Sequence, residues 1–481
     1  MEESNKSWFK ENWEIIGILA IALAIRIYYF IILKSQVGWW DEMEYLNIAQ
    51  RFAFHTPYIF GPVRQVLFPF IISLFYHIST SEFLPRLFVM ILSMFSVFGM
   101  YLLGKEIFNK RVGLISAFLM SIFYLNLFFT FRLLVDLPSL TFFIFSAYFF
   151  YKYIKTKKNS NLYWFALMIG IGTLFKLSTA FLLVACFIFL IFTEKFKFLK
   201  RKEIWISALI FCLVLSPYIL FGYKEFGSFV LTQASAHVAP ENYLNGFNLL
   251  WNYLKLFPTY FSWPLLIIFI LGILSLYKLF LYFDKFKQGD ENLRGYLYSF
   301  LILIIPFILV SFMVNHNEDR YILAVFSGIF LISSSFIIEL FDFIKSKIKF
   351  LAIILLITLL LFTAFYQVRN TDILIKDKQY SYLEVEEAGL WLKNNSEEWN
   401  VVATKSQPQI KYYSGLDTIG LPPTEEEFES SLTNNTEFFM LSVFEVHPEW
   451  AYTYPERKNL TVIQAYFDKN QKPLLAIYEL K

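Results

Sequence analysis

Long apolar runs separated by short charged connections fill the first three quarters of the chain, and beyond residue 366 the pattern changes. The apolar runs fall near 15–33, 83–103, 113–129, 137–154, 163–179, 181–193, 204–221, 263–283, 296–314, 321–341 and 350–366. They predict about eleven transmembrane helices. A further apolar run, 66–78, is only about a dozen residues long, which suits an interfacial or re-entrant helix better than a crossing. Counting it as a span would also reverse every later connection.

The connections carry the orientation. Lys and Arg concentrate at 105–111, 152–158, 195–202, 285–294 and 345–349, which are alternate linkers, as the positive-inside rule requires of cytoplasmic loops. The amino terminus is therefore expected inside, and 34–82, 130–136, 222–262, 315–320 and everything after 366 outside. The chain divides into a transmembrane domain, 1–366, whose outer loop 34–82 is the candidate catalytic loop, and an extracytoplasmic domain, 367–481. In the latter a helix-like segment at 380–392 and strand-like VVAT, EFFMLSVF, LTVIQAYF and PLLAIYEL predict a small α/β fold.

Composition agrees: 57% of the 481 residues are hydrophobic and 17% charged, which describes a multi-pass protein of the cell membrane. A net charge of +3 points to no nucleic-acid partner. The two cysteines, Cys186 and Cys212, sit in apolar runs and imply neither a disulfide framework nor thiol chemistry. No P-loop, G-x-G-x-x-G, H-E-x-x-H or paired-cysteine pattern occurs, so ATP, dinucleotide and dedicated zinc chemistry have no support.

Candidate chemistry lies in the expected outer loops. GWWDEMEYLN places Asp41 and Glu42 just beyond the first span. A purely structural account makes Asp41 the N-cap of a helix over 43–54, with Glu44 completing a capping-box-like pair; it does not cover Glu42. In FRLLVDLPSL, Arg132 and Asp136 stand four apart. A surface pair at that spacing is worth about 0.5 kcal/mol, whereas an Asp at membrane depth costs roughly 2.5–3.5 kcal/mol and so implies a role. Arg64, Arg86, Arg132, Lys176 and Arg320 lie near the outer ends of spans. Each alone could snorkel to the interface; together with the carboxylates they suit a phosphate-bearing substrate. Arg26, inside the first span, is expected to face the bundle interior.

The ordered pieces WDEMEYLNIAQ, RQVLFP, PRL, GKEIFNKRVGLISA, RLLVDLP, LFKLS and EDRYIL resemble the polyprenyl-phosphate-dependent glycosyltransferases of the GT-C fold, a group that includes protein mannosyltransferases and lipid A aminoarabinose transferases. The resemblance implies a catalytic carboxylate at Asp41 with Glu42 as its neighbour, a second acidic residue at Asp136, and a lipid-phosphate contact at Arg320. It also implies a basic position at Arg64, although Val66 stands where the family usually has Pro. Arg86, Arg132 and Lys176 are further candidates for the lipid phosphate. The letters WWD at 39–41 resemble the opening of the oligosaccharyltransferase WWDYG motif, but they fall in the first loop rather than in the carboxy-terminal domain and are read as accidental.

The function expected is transfer of a single sugar, with inversion, from a polyprenyl-phosphate (dolichyl or undecaprenyl) carrier to a glycan, protein or lipid acceptor at the outer face. No cofactor is required; a divalent metal near Asp41 and Glu42 is permitted. The alternative is a transporter or flippase of lipid-linked sugars, for which inverted repeats and interrupted midplane helices would be expected and are not evident.

Overall fold

The computed structural model describes residues 2–34, 36–61, 64–227, 246–314 and 316–480. Parts of the expected outer segments, 35, 62–63, 228–245, 315 and 481, lie outside the described residues. The chain forms two compact units, one made of 1–34, 61–68 and 83–375, the other of 35–60, 69–82 and 376–481.

The first unit is helical. In chain order the helices, of which α2 and most of α3 belong to the second unit, begin with α1 (Glu2–Leu33), α2 (Trp40–Phe54), α3 (Leu67–Tyr76), α4 (Phe83–Ile107), α5 (Lys110–Ile122), α6 (Tyr124–Thr130), α7 (Asp136–Thr156) and α8 (Asn159–Phe175). They continue with α9 (Phe181–Glu194), α10 (Lys202–Phe226), α11 (Gly246–Tyr260), α12 (Trp263–Leu274), α13 (Lys278–Leu281), α14 (Phe283–Gln288), α15 (Glu291–Met313), α16 (Val325–Lys345) and α17 (Lys349–Lys378).

Among the described residues, eight helical segments are long and apolar enough to cross a membrane, and the bent pair α5–α6 makes up to nine. The expected count of about eleven is not reached, because the runs at 137–154 and 163–179 form α7 and α8, which fall short. Helix α8 has only 17 residues. Helix α7 carries Lys152, Lys155 and several tyrosines, and most of its surface is buried against other helices rather than turned to lipid, so it has no need to be apolar all round. The run at 66–78 forms the short helix α3, as expected.

Local chemistry sets the joins. Asn109 caps α5 by accepting from the Val112 amide at 3.1 Å, and Asp290 caps α15 through Leu293 at 3.0 Å. Gly113 lets α5 approach α4 closely: a Cβ there would lie 2.5 Å from the Tyr101 carbonyl oxygen. Arg26 faces the interior, fully buried. Its guanidinium donates to Ser93 Oγ at 2.9 Å, Asn126 Oδ1 at 2.7 Å and the Ser121 carbonyl at 3.1 Å, a satisfied structural network rather than a site.

The second unit holds a five-stranded sheet of β1 (Val401–Thr404), β2 (Asp417–Ile419), β3 (Thr436–Ser442), β4 (Thr461–Phe467) and β5 (Pro473–Glu479), in the order β2-β1-β3-β5-β4. Strand β1 runs parallel to β2 and β3, while β5 is antiparallel to β3 and β4. The four strand-like sequences each form a strand; β2, only three residues long, was not foreseen. Helices α18 (Leu383–Asn395), α19 (Gln407–Ser414), α20 (Glu425–Ser431) and α21 (Glu449–Arg457) complete the domain. The expected helix at 380–392 starts later because Tyr382 adopts φ 68°, a left-handed conformation that a helix cannot include. One core, with Val385, Ile410, Val402 and Met440, fills one face of the sheet; a second, with Phe428, Phe439 and Tyr454, fills the other.

Helix α2 belongs to this second unit. It packs on α19, where the Asn47 side chain donates to the Pro408 carbonyl at 2.8 Å, and just ahead of it Gln36 donates to the Lys378 carbonyl at 2.7 Å.

Candidate functional site

In the first unit, three of the residues singled out from the sequence meet in one cleft. Asp136 opens α7 and Lys176 follows the last turn of α8; the two helices pack as an antiparallel hairpin that brings these ends together. Lys176 Nζ donates to Asp136 Oδ1 at 2.6 Å, with side-chain exposures of 11% and 2%. The Asp136 partner is thus Lys176, not the Arg132 suggested by sequence spacing. Lys176 Nζ also lies 4.7 Å from the Tyr321 ring centroid, and the Arg320 guanidinium carbon lies 5.5 Å from the same centroid. Two cations therefore share one aromatic ring. Asp136, Ser139, Lys176, Thr179, Arg320 and Tyr321 are among the residues lining the cleft.

Arg320 is held by chemistry the sequence did not disclose. Glu318 Oε2 accepts from Arg320 Nε, and Glu318 Oε1 lies 3.0 Å from His316 Nε2. The Tyr321 hydroxyl is 2.9 Å from the same imidazole nitrogen. Behind them, Tyr260 on α11 donates to Asp319 Oδ1 at 2.6 Å. Burial, and then the Asp319 charge, push the Tyr260 phenol well above its ordinary pKa, so it stays a donor. Glu318, Asp319 and Tyr321 were visible only as letters of the EDRYIL motif.

The other basic candidates take separate positions. Arg86 and Arg132 are both buried, and Arg86 Nη1 donates to the carbonyl of Phe131, next to Arg132, at 2.8 Å. Neither lines the cleft. Arg64 lies on a segment tied to the end of α8 by Gln65, which donates to the Thr173 carbonyl at 3.3 Å, three residues ahead of Lys176.

Asp41 and Glu42 stand in the first turn of α2, in the second unit. The expected cap is revised here. Trp39, not Asp41, occupies the N-cap position, and it is Glu42 that folds back, accepting from the Trp39 amide at 2.7 Å. The helix starts three residues earlier than 43–54 predicted because this back-bond satisfies one of its orphan amide donors. Capping thus accounts for Glu42 and leaves Asp41 as a partly exposed acid of the first turn. Among the described residues, no group of three or more His, Cys, Asp or Glu side chains is arranged to hold a metal ion.

The fold is the membrane GT-C fold, as the sequence resemblance implied. Residues 63–221 match the family model of dolichyl-phosphate-mannose-protein mannosyltransferase. ArnT from Cupriavidus metallidurans in the apo state is similar with a TM-score of 0.66 and 11% identity, over 97% of this chain and 98% of that one. The same protein bound to undecaprenyl phosphate gives 0.64 and 10%, again over 97% and 98%. The oligosaccharyltransferase of Archaeoglobus fulgidus, in complex with Zn and sulfate, gives 0.62 and 14% over 95% of this chain and 73% of that one. No curated protein matches by sequence.

Proposed function

We propose that this protein is a membrane glycosyltransferase that moves one sugar from a polyprenyl-phosphate donor to an acceptor at the extracytoplasmic face. The observation that carries the proposal is the cleft in which Lys176 and Arg320 bracket Tyr321 beside the buried Asp136. Two cations at one small cleft suit a phosphate oxyanion, with Arg supplying a planar fork and Lys a point charge. Binding of undecaprenyl phosphate by ArnT, which shares the fold, supports the same ligand class here.

In the reaction, an acceptor hydroxyl attacks the anomeric carbon and the bond from that carbon to the phosphate oxygen breaks. The lipid phosphate leaves with the electron pair, and a single displacement inverts the anomeric centre. Lys176 and Arg320 stabilise the departing charge in a poorly hydrated cleft. The sequence resemblance assigns the acceptor's proton to Asp41, a contribution of roughly 10²–10⁴-fold for a general base. The alternation of basic linkers supports the outer face as the site of transfer.

The test is covalent transfer by the purified protein: polyprenyl-phosphate mannose and related donors are supplied with candidate acceptors, and products are read by mass spectrometry. Sugar appearing on an acceptor with release of polyprenyl phosphate is the expected result. Movement of intact lipid-linked sugar across a vesicle membrane without transfer would replace this function with a flippase.

A further inference from the structure

A second cluster of uncommitted polar groups lies in the carboxy-terminal domain, at the carboxyl ends of β1 and β3. The two strands are parallel neighbours with Thr404 opposite Met440. Ser442, at the end of β3, is on the same face as Met440, and Ser406 lies two residues beyond the end of β1. That face carries the core built on Val402, Met440, Val385 and Ile410, against which Tyr382 packs, and Gln409 lies in the first turn of α19, the helix that follows Ser406. Tyr382 stacks near Phe444 at 5.2 Å and donates to its carbonyl at 3.4 Å, and its hydroxyl also bonds Glu445. His447 Nε2 lies 2.7 Å from the Ser442 carbonyl oxygen and 3.2 Å from the Ser442 amide nitrogen.

These groups are buried yet lack partners. Ser406 and Gln409 are fully buried, and Ser442 and His447 nearly so. Ser406 Oγ, Ser442 Oγ, both amide atoms of Gln409, Glu445 Oε1 and His447 Nδ1 make no hydrogen bond within the protein. Native interiors leave few polar atoms in that state, and a group of them at one edge calls for an explanation. Local structure offers none. Ser406 and Gln409 have capping-box spacing at the start of α19, yet Ser406 makes no side-chain cap bond there. Tyr382 is held at a positive φ, a strain that clusters at binding sites.

Topology points to the same place. From β1 the chain leaves through α19 toward β2, whereas β3 lies on the other side of β1. Open α/β sheets bind ligands in the crevice outside the carboxyl ends of strands where connections part in this way. The chemistry selects the ligand class. The two hydroxyls and the Gln409 amide NH₂ can donate, the Gln409 oxygen and Glu445 Oε1 can accept, and His447 Nδ1 does either according to its tautomer. Hydroxyls both give and take hydrogen bonds, whereas a phosphate only accepts and would face the Glu445 carboxyl. The Tyr382 and Phe444 rings supply an apolar surface of the kind a sugar ring can cover. We propose that the carboxyl edge of β1 and β3, bounded by Tyr382, Ser406, Gln409, Ser442, Glu445 and His447, is a second ligand site that takes a neutral carbohydrate. It stands independently of the lipid-phosphate cleft.

The full chain in nanodiscs, free of sugar-based detergent, is titrated with mannotriose, maltotriose and chitotriose, and binding is read by saturation-transfer NMR and calorimetry. At least one trisaccharide should bind. Gln409→Leu and Ser442→Ala, which remove polar atoms that the fold does not use, should each weaken it at least tenfold while polyprenyl-phosphate binding stays unchanged. If none of the three binds, or if both variants bind as well as the wild type, the proposal is overturned. Inorganic phosphate displacing the sugar would overturn the ligand class. A rise in melting temperature in both variants, with no sugar bound by the wild type, would mean that the edge holds only water.

Discussion

Separating the structural from the binding role of Lys176 requires a pair of substitutions rather than one. Its ammonium meets a carboxylate whose side chain is 2% exposed. Lys176→Met leaves Asp136 as a buried charge without this partner, and breaking a buried pair in this way costs about 3–5 kcal/mol of stability. Asp136→Asn with Lys176→Met removes both charges, and replacement of a buried pair by neutral groups of similar volume is close to neutral, within ~1 kcal/mol. Most of the stability should therefore return in the double variant. Donor affinity should not. If Lys176 contacts the lipid phosphate, truncating it costs roughly 2–5 kcal/mol of binding, or about 30-fold and upward, in the single and double variants alike. Thermal unfolding of the detergent-solubilised chain gives the first quantity and titration with undecaprenyl phosphate the second. Recovery of donor affinity together with stability in the double variant would refute the assignment and leave the pair a structural feature of the α7–α8 hairpin.

Four further outcomes are expected. Arg320→Ala should weaken donor binding by about tenfold or more, with partial rescue by Arg320→Lys, which keeps the charge but loses the fork; unchanged donor binding in the Ala variant would remove Arg320 from the cleft's function. Asp41→Asn should lower turnover about 10²-fold or more if the carboxylate is the base, whereas an acid acting only on the helix dipole is worth roughly 0.3–1 kcal/mol of stability, so turnover within a few-fold of wild type rejects it. Cysteine probes in intact cells should be labelled at Thr424 and protected at Lys200; the reverse pattern inverts the topology. Burial raises the Glu445 carboxyl to about 7, against the Tyr382 hydrogen bond and the Lys405 charge. The folded state then keeps a proton that the unfolded chain releases, so this contribution to stability is intact below the ordinary value of 4.5 and is lost as pH rises through about 7. Allowing for partial exposure it amounts to roughly 1–2 kcal/mol, and Glu445→Gln should flatten thermal unfolding between pH 5 and 8; an unchanged pH profile contradicts it.

What the sequence disclosed, and what it withheld, follows from the range of the interactions involved. Apolar runs define helices by local composition, so the helical segments and the strands VVAT and PLLAIYEL fall where expected. Whether a helix meets lipid or protein is not local: Leu137, Phe143 and Ile144 of α7 are apolar whichever they touch, and they are buried within the protein. Lys176 was found by its position near the end of a span, but its union with Asp136 depends on a hairpin 40 residues long. The shift of the cap from Asp41 with Glu44 to Trp39 with Glu42 depends on where the helix starts, which a capping pattern does not fix.

The Asn47–Pro408 and Gln36–Lys378 bonds have a practical consequence for anyone building hybrids of such proteins. A cut placed after the last long helix looks like a clean seam in the linear chain, yet it would strip α2 of the partner on which it rests. A donor carboxy-terminal domain has to be grafted together with its own 35–60 and 69–82 segments, and the transplantable module is three stretches of chain.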